Sequence, residues 1–213
     1  MQAVIFDMDG TLIDTERVSQ AAWRRAAQDF RIEIPEHILH AFVGCSIPNA
    51  MNMIDDEFGD PAFTERLFNR RHEIFDATWE DELELKPGAA EAVAAARARL
   101  AAALATRACA TEPSRHGAPG LVGCSTPLPD DIGITTRPRR YLVAADHLDI
   151  EPARCVAGGL FNGVRSGAAA GMRTIMVPDY NEPTPEIRAL CAEVLTTLHE
   201  LPAALDRLKT PNV

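Results

Sequence analysis

Four consecutive apolar residues, Ala3 to Phe6 ("AVIF"), open the chain and stop at Asp7. A short unbroken run of this kind predicts a strand buried on both faces of a parallel sheet. "AAALAT" (101–106), "RCVAG" (154–158), "RTIMV" (173–177) and "AEVLTT" (192–197) read the same way. Helix-like stretches lie between and after them: "GAAEAVAAARARL", "RRYLVAADHL", "NGVRSGAAAG" and "LPAALDRL". This alternation predicts an α/β fold built on a doubly wound parallel sheet.

Residues 16–84 break the alternation. Val18, Ala22, Ala26 and Phe30 recur every four residues, as on one face of a helix, and "NAMNMIDDEF" and "AFTERLFNRRHEIFDATW" continue without a strand. An all-helical insertion after the first strand accounts for this, ending in the acidic run "EDELELKPG", where Pro87 and Gly88 mark a linker. The expected division is therefore a Rossmann-like core from 1–15 and 85–213, with a helical cap from 16–84. Residues 107–136 carry Pro113, Pro119, Pro127 and Pro129, which leave little room for a long helix and predict loops.

Composition narrows the function classes. A formal charge of −10 provides no basic field for nucleic acid, so an anionic substrate needs a local cation. No apolar run approaches the roughly 18 residues of a membrane span. The N-terminus enters a strand directly, which predicts a cytoplasmic protein that uses neither membrane nor nucleic acid as a partner. Five scattered cysteines without a CxxC pair indicate neither a disulfide framework nor a zinc ribbon.

The stretch "DMDGTLIDTE" (7–16) holds the candidate chemistry. In an open α/β sheet ligands bind beyond the C-terminal ends of the strands, where Asp7 stands first. Asp9 follows, Gly10 permits a tight turn and Thr11 adds a hydroxyl. Two carboxylates held close resist ionising together unless a cation or hydrogen-bond donors settle them.

Asp7, Asp9, Gly10 and Thr11 match DxDGT, and on these residues the chain resembles the haloacid dehalogenase superfamily, in its phosphatase and β-phosphoglucomutase branch. The resemblance implies an aspartyl-phosphate mechanism with Asp7 as nucleophile and Asp9 as general acid and base. It also implies Mg2+ on the Asp7 carboxylate and the Asp9 carbonyl, and a small phosphorylated metabolite as substrate. Thr106, at the end of "AAALAT", matches the second-motif hydroxyl. Arg137, before Pro138, stands where the family normally has a lysine, keeping the charge without the compact donor geometry. Candidate substrate-binding residues are Met8, Gly10 and Thr11 in the turn, Arg107 beside Thr106, and Gly44 and Ser46 in the insertion.

The fourth motif departs from the family. Where an acidic pair usually holds magnesium, this chain has Gly158 and Gly159, while Asn162 and Gly163 agree with the pattern again. Asp130 and Asp131 lie in the Pro-rich loop, a poor rigid platform for replacing them. "GGLFNGVRS" spaces its glycines like a P-loop but lacks the lysine after the second, so it reads as a strand-to-helix turn. His37 and His40 read as a solvated pair. Ile47 stands where β-phosphoglucomutases carry an arginine for a second phosphate. The leading expectation is thus a magnesium-dependent phosphatase; the alternatives are a sugar-phosphate mutase and a catalytically impaired binding protein.

Overall fold

The strand "AVIF" forms as its pattern predicts: β1 (Ala3–Phe6) has all four residues buried. The computed structural model describes residues 1–43, 45–105, 122–123 and 138–209. It divides the chain into two units, Met1–Ile13 with Leu85–Val213, and Asp14–Glu84.

The first unit is a parallel sheet with helices around it. Five strands follow β1: β2 (Ala101–Leu104), β3 (Val122–Gly123), β4 (Cys155–Gly159), β5 (Arg173–Met176) and β6 (Cys191–Val194), in the order β3-β2-β1-β4-β5-β6. The chain leaves β1 for β2 on one side and later returns to β4 on the other. The order therefore reverses at β1, which places a crevice for ligand beyond that strand's C-terminal end. β1 is in register with both neighbours, Phe6 standing opposite Leu104 and Gly158.

α5 (Ala89–Arg97), α6 (Arg139–His147), α7 (Phe161–Ala169), α8 (Pro185–Leu190) and α9 (Leu201–Lys209) accompany the sheet. On one face Ile5, Ala103 and Ala157 pack with Tyr141, Ala144 and Ala145 of α6. α7 approaches β4 unusually closely at Gly167, where an added Cβ would lie 2.5 Å from that of Ala157. Two elements differ from expectation. α8 lies in a stretch given no helix by its pattern, and is started by Thr184, whose hydroxyl accepts from the Ile187 amide at 3.4 Å, with Pro185 at its first position. Within the stretch expected to be loops, Val122–Gly123 adds a short strand to β2, opposite Ala103 and Leu104. Two residues are too few to leave a periodic signature.

The second unit is helical: α1 (Thr15–Asp29), α2 (Glu36–Ala41), α3 (Ile47–Phe58) and α4 (Pro61–Glu82). Asp14 caps α1 by accepting from the Arg17 amide, and Asp60 caps α4 through the Phe63 amide. α3 ends at Gly59 in a left-handed conformation. Val18, Ala22 and Ala26 are buried along α1, and Trp23, Ile38, Leu39, Phe42, Ile54 and Leu67 form the unit's core. His37 and His40 are exposed on α2, as read from the sequence.

Candidate active site

The end of β1 is held by hydrogen bonds from both sides. The Asp7 amide donates to the Gly158 carbonyl at 2.8 Å, and the Ala105 amide to the Phe6 carbonyl at 2.8 Å. Asp7 is thus anchored through its backbone where the strand order reverses, with its side chain partly exposed.

The turn that follows is wound around one carbonyl. The amides of Thr11, Leu12 and Ile13 all donate to the Met8 oxygen, at 3.2, 2.9 and 3.2 Å. The Met8 amide donates to Asp7 Oδ1 at 3.1 Å. Gly10 makes this winding possible with φ of 65°. The amides of Met8 and Thr11 are accordingly engaged within the turn. Asp9 projects into solvent, whereas Met8, Gly10 and Thr11 are buried.

Thr11 lies in the wall of a pocket. Its hydroxyl is buried without a hydrogen-bond partner among the described residues. With Gly10 it lines a pocket of about 260 Å³ shared with Lys86, Pro87, Val177 and Pro178. Beside this pocket, Lys86 Nζ lies 2.6 Å from Asp179 Oδ1, with side chains 17% and 14% exposed. Neither partner of this ion pair was a sequence candidate.

Tyr141 is the other residue that sequence reading missed. Its phenol is buried against the β4 end of the site, 3.4 Å from the Gly158 carbonyl, toward which it donates a long hydrogen bond. A Cβ added to Gly159 would stand 3.0 Å from Gly163 Cα, 3.2 Å from Tyr141 Oη and 3.3 Å from Asp7 Cβ. One added to Gly163 would stand 3.0 Å from the same phenol oxygen and 3.1 Å from Asp7 Oδ2. Asp7, Tyr141 and the two glycines therefore converge on one small volume. Burial pushes the Tyr141 phenol well above the usual tyrosine range, the Asp7 carboxylate adds to the rise, and Arg140 opposes it. The signal available in sequence was that Tyr141 shares a helical face with Ala144 and Ala145, because a buried tyrosine needs a polar partner for its hydroxyl.

Magnesium takes six oxygens in near-octahedral order. The described candidates are the Asp7 carboxylate and the Asp9 carbonyl, and no group of three or more His, Cys, Asp or Glu side chains converges among the described residues. At the end of β4, Gly158 and Gly159 offer no side chain. The described residues do not complete a magnesium site.

The remaining candidates are placed only in part. Ser46 occupies the N-cap position of α3 in the helical unit without a side-chain capping bond, and Ile47 begins that helix, 45% exposed. Gly44, Thr106, Arg107 and Arg137 lie outside the described residues, as do Asp130 and Asp131. Pro138, next to Arg137, occupies the N-cap position of α6. No helix among the described residues is long and apolar enough to cross a membrane.

Comparison with known proteins bears on the fold and the family. Protein CbbY of Cereibacter sphaeroides is 28% identical over 205 residues, covering 84% of this chain and 85% of its own. A phosphorylated carbohydrates phosphatase of Thermotoga maritima is 26% identical over 185 residues, covering 82% and 84%. Among solved structures, a haloacid dehalogenase-like protein of unknown function from Agrobacterium tumefaciens superposes with a TM-score of 0.79 over 99% of this chain and 100% of its own, at 18% identity. The model of the haloacid dehalogenase-like hydrolases matches residues 1–171, and the chain belongs to that family.

Proposed function

We propose that this chain hydrolyses small phosphomonoesters, with phosphorylated sugars the favoured class, through a covalent phosphoryl intermediate on Asp7. The observation that carries the reading is the position of Asp7: it is the first residue beyond a buried central strand, at the reversal of strand order, fixed by its amide to Gly158 and carrying a partly exposed carboxylate. The relative named as a phosphorylated carbohydrates phosphatase supports the substrate class.

In the proposed reaction one Asp7 oxygen attacks phosphorus and the ester P–O bond breaks. Asp9, exposed on the same turn, gives a proton to the departing alkoxide and then takes one from the water that cleaves the acyl phosphate. Asp7 is returned as a carboxylate and inorganic phosphate leaves. The Met8 amide, which donates to Asp7 Oδ1, turns the carboxylate so that Oδ2 is the attacking oxygen. Thr106 and Arg137 remain the proposed phosphoryl-binding hydroxyl and cation, and the cap role of residues 16–84 belongs to the same proposal. Magnesium, implied by the resemblance, would meet an incomplete donor set, so no step is assigned to it.

A second reading is favoured by Gly158 and Gly159: a chain that keeps the fold and binds a phosphorylated ligand without turnover. Phosphate release from p-nitrophenyl phosphate and from hexose phosphates separates the two. Release by the wild type, lost in Asp7→Asn at unchanged fold, supports hydrolysis. Saturable phosphate binding with no release supports the binding protein, and equal release by Asp7→Asn contradicts the assignment of the nucleophile.

A further inference from the structure

Thr11 is 4% exposed, and its hydroxyl has no hydrogen-bond partner among the described residues. A hydroxyl buried in that state costs about 1–3 kcal/mol, and the reaction proposed above gives it no task. Thr11 stands in the wall of the pocket of about 260 Å³, which is the side from which a partner can come. The pocket lies wholly in the first unit, beyond the C-terminal ends of β5 and β6, and neither Asp7 nor Asp9 lines it.

Its walls are tied together through the backbone. The Lys86 amide donates to the Leu12 carbonyl at 2.9 Å, and the Leu195 amide to the Met176 carbonyl at 2.8 Å. A Cβ added to Gly88 would lie 2.7 Å from the His199 nitrogen, so the segment after Pro87 packs directly on the one after Leu198. A cavity bounded in this way is formed before a ligand arrives. Its size falls just below the usual range for small-molecule sites, roughly 300–1,000 Å³, which suits a compact ligand.

The lining sets the chemistry of that ligand. Pro87, Val177, Pro178 and Leu198 present apolar surface. The Lys86 ammonium is already held by Asp179 at 2.6 Å, so an anion entering the pocket would have to compete with a carboxylate in place. Thr196 and Thr197 add hydroxyls to that of Thr11. The Thr197 hydroxyl accepts from the His199 amide at 3.5 Å and keeps its own proton to donate. Apolar walls for C–H groups, hydroxyls for O–H groups and a balanced charge describe a site for an uncharged alcohol.

We propose that this pocket binds a small neutral polyhydroxylated molecule, a sugar or polyol without phosphate, with a ligand hydroxyl completing the hydrogen bonding of Thr11. An alcohol released by reaction at Asp7 belongs to the same class, yet the pocket stands on its own lining and does not depend on that reading.

Methyl-labelled wild type and Asp7→Asn are titrated with D-glucose, glycerol and inorganic phosphate, and the methyl resonances of Thr11, Val177 and Leu198 are followed by NMR. Saturable shifts with D-glucose or glycerol, equal in the two proteins and absent with phosphate, are expected. Whichever alcohol saturates at the lower concentration tells a hexose site from a short-polyol site. Thr11→Val should bind about fivefold more weakly, the worth of one hydrogen bond, and Thr11→Ser should bind like the wild type. No saturable shift with either alcohol, the same shifts with phosphate, or undiminished binding by Thr11→Val overturns the proposal. Where Thr11→Val does not fold, Thr196→Trp, at an exposed position of the lining, takes its place; loss of saturation is expected, and its retention overturns the proposal. Because binding is read in Asp7→Asn as well, a chain that releases no phosphate still passes or fails here, and failure here leaves the assignment of Asp7 untouched.

Discussion

The amide of Asp7 donates to the carbonyl of Gly158 at 2.8 Å, tying the first residue beyond β1 to a strand whose last two residues carry no side chain. This one bond sets the character of the site. Asp7 is anchored through its backbone, while the neighbouring strand contributes backbone and no side chain at its last two residues, and the Tyr141 hydroxyl of α6 borders that space.

Asp9 is exposed and makes its contribution through proton transfer in the proposed reaction. Asp9→Asn should lower kcat by about 10²- to 10⁴-fold, the range for loss of a positioned general acid and base, with unchanged thermal stability. Steady-state phosphate release measures this. The deficit should shrink for esters with good leaving groups, because their departure needs less protonation.

The buried phenol of Tyr141 couples stability to alkaline pH. The folded state holds the proton to a pH well above the usual tyrosine range, while the unfolded chain releases it near the ordinary value of about 10. Over the interval between those values the unfolded state binds fewer protons, so stability falls as pH rises. Wild type should therefore lose stability relative to Tyr141→Phe in that window and not at neutral pH, as measured by denaturant midpoints of both proteins across the alkaline range.

Lys86 and Asp179 stand 93 residues apart in sequence and 2.6 Å apart in space, both largely buried. The second oxygen, Asp179 Oδ2, is buried without a hydrogen-bond partner among the described residues. Lys86→Met should cost about 3 kcal/mol by leaving the carboxylate without its cation. Combining it with Asp179→Leu should recover most of that loss in equilibrium unfolding.

Gly167 is where α7 meets β4. Because an added Cβ would lie 2.5 Å from Ala157 Cβ and 3.1 Å from Thr174 Cγ2, the helix has to move outward to accept it. Gly167→Ala should destabilise by about 1–3 kcal/mol despite its better helix propensity. Ala157→Gly in the same chain should restore part of the loss.

What could be read from sequence was what depends on short-range pattern. The run Ala3–Phe6 marked a buried central strand, and the spacing of Val18, Ala22 and Ala26 marked the buried face of α1. The match of Asp7 to Thr11 with a phosphoryl-transfer turn was legible because those residues are consecutive. Tyr141 and the Lys86–Asp179 pair were not, since their meaning lies in contacts between segments far apart in the chain. The winding of the turn was not legible for a related reason: the conformation at Gly10 folds the amides of Thr11, Leu12 and Ile13 back onto Met8, and residue identity alone does not reveal where an N–H points. The short helix Pro185–Leu190 lacked periodicity, although Thr184 and Pro185 formed a usable start signal.

The most direct test of the central claim is to find the phosphoryl group on the protein. The wild type is mixed with a phosphorylated sugar, quenched in acid within one turnover, digested, and analysed by mass spectrometry for the peptide containing Asp7. The account predicts a phosphoryl adduct on Asp7, labile to hydroxylamine and absent from Asp7→Asn. Phosphate release without any such adduct, or an adduct on a different residue, would contradict it.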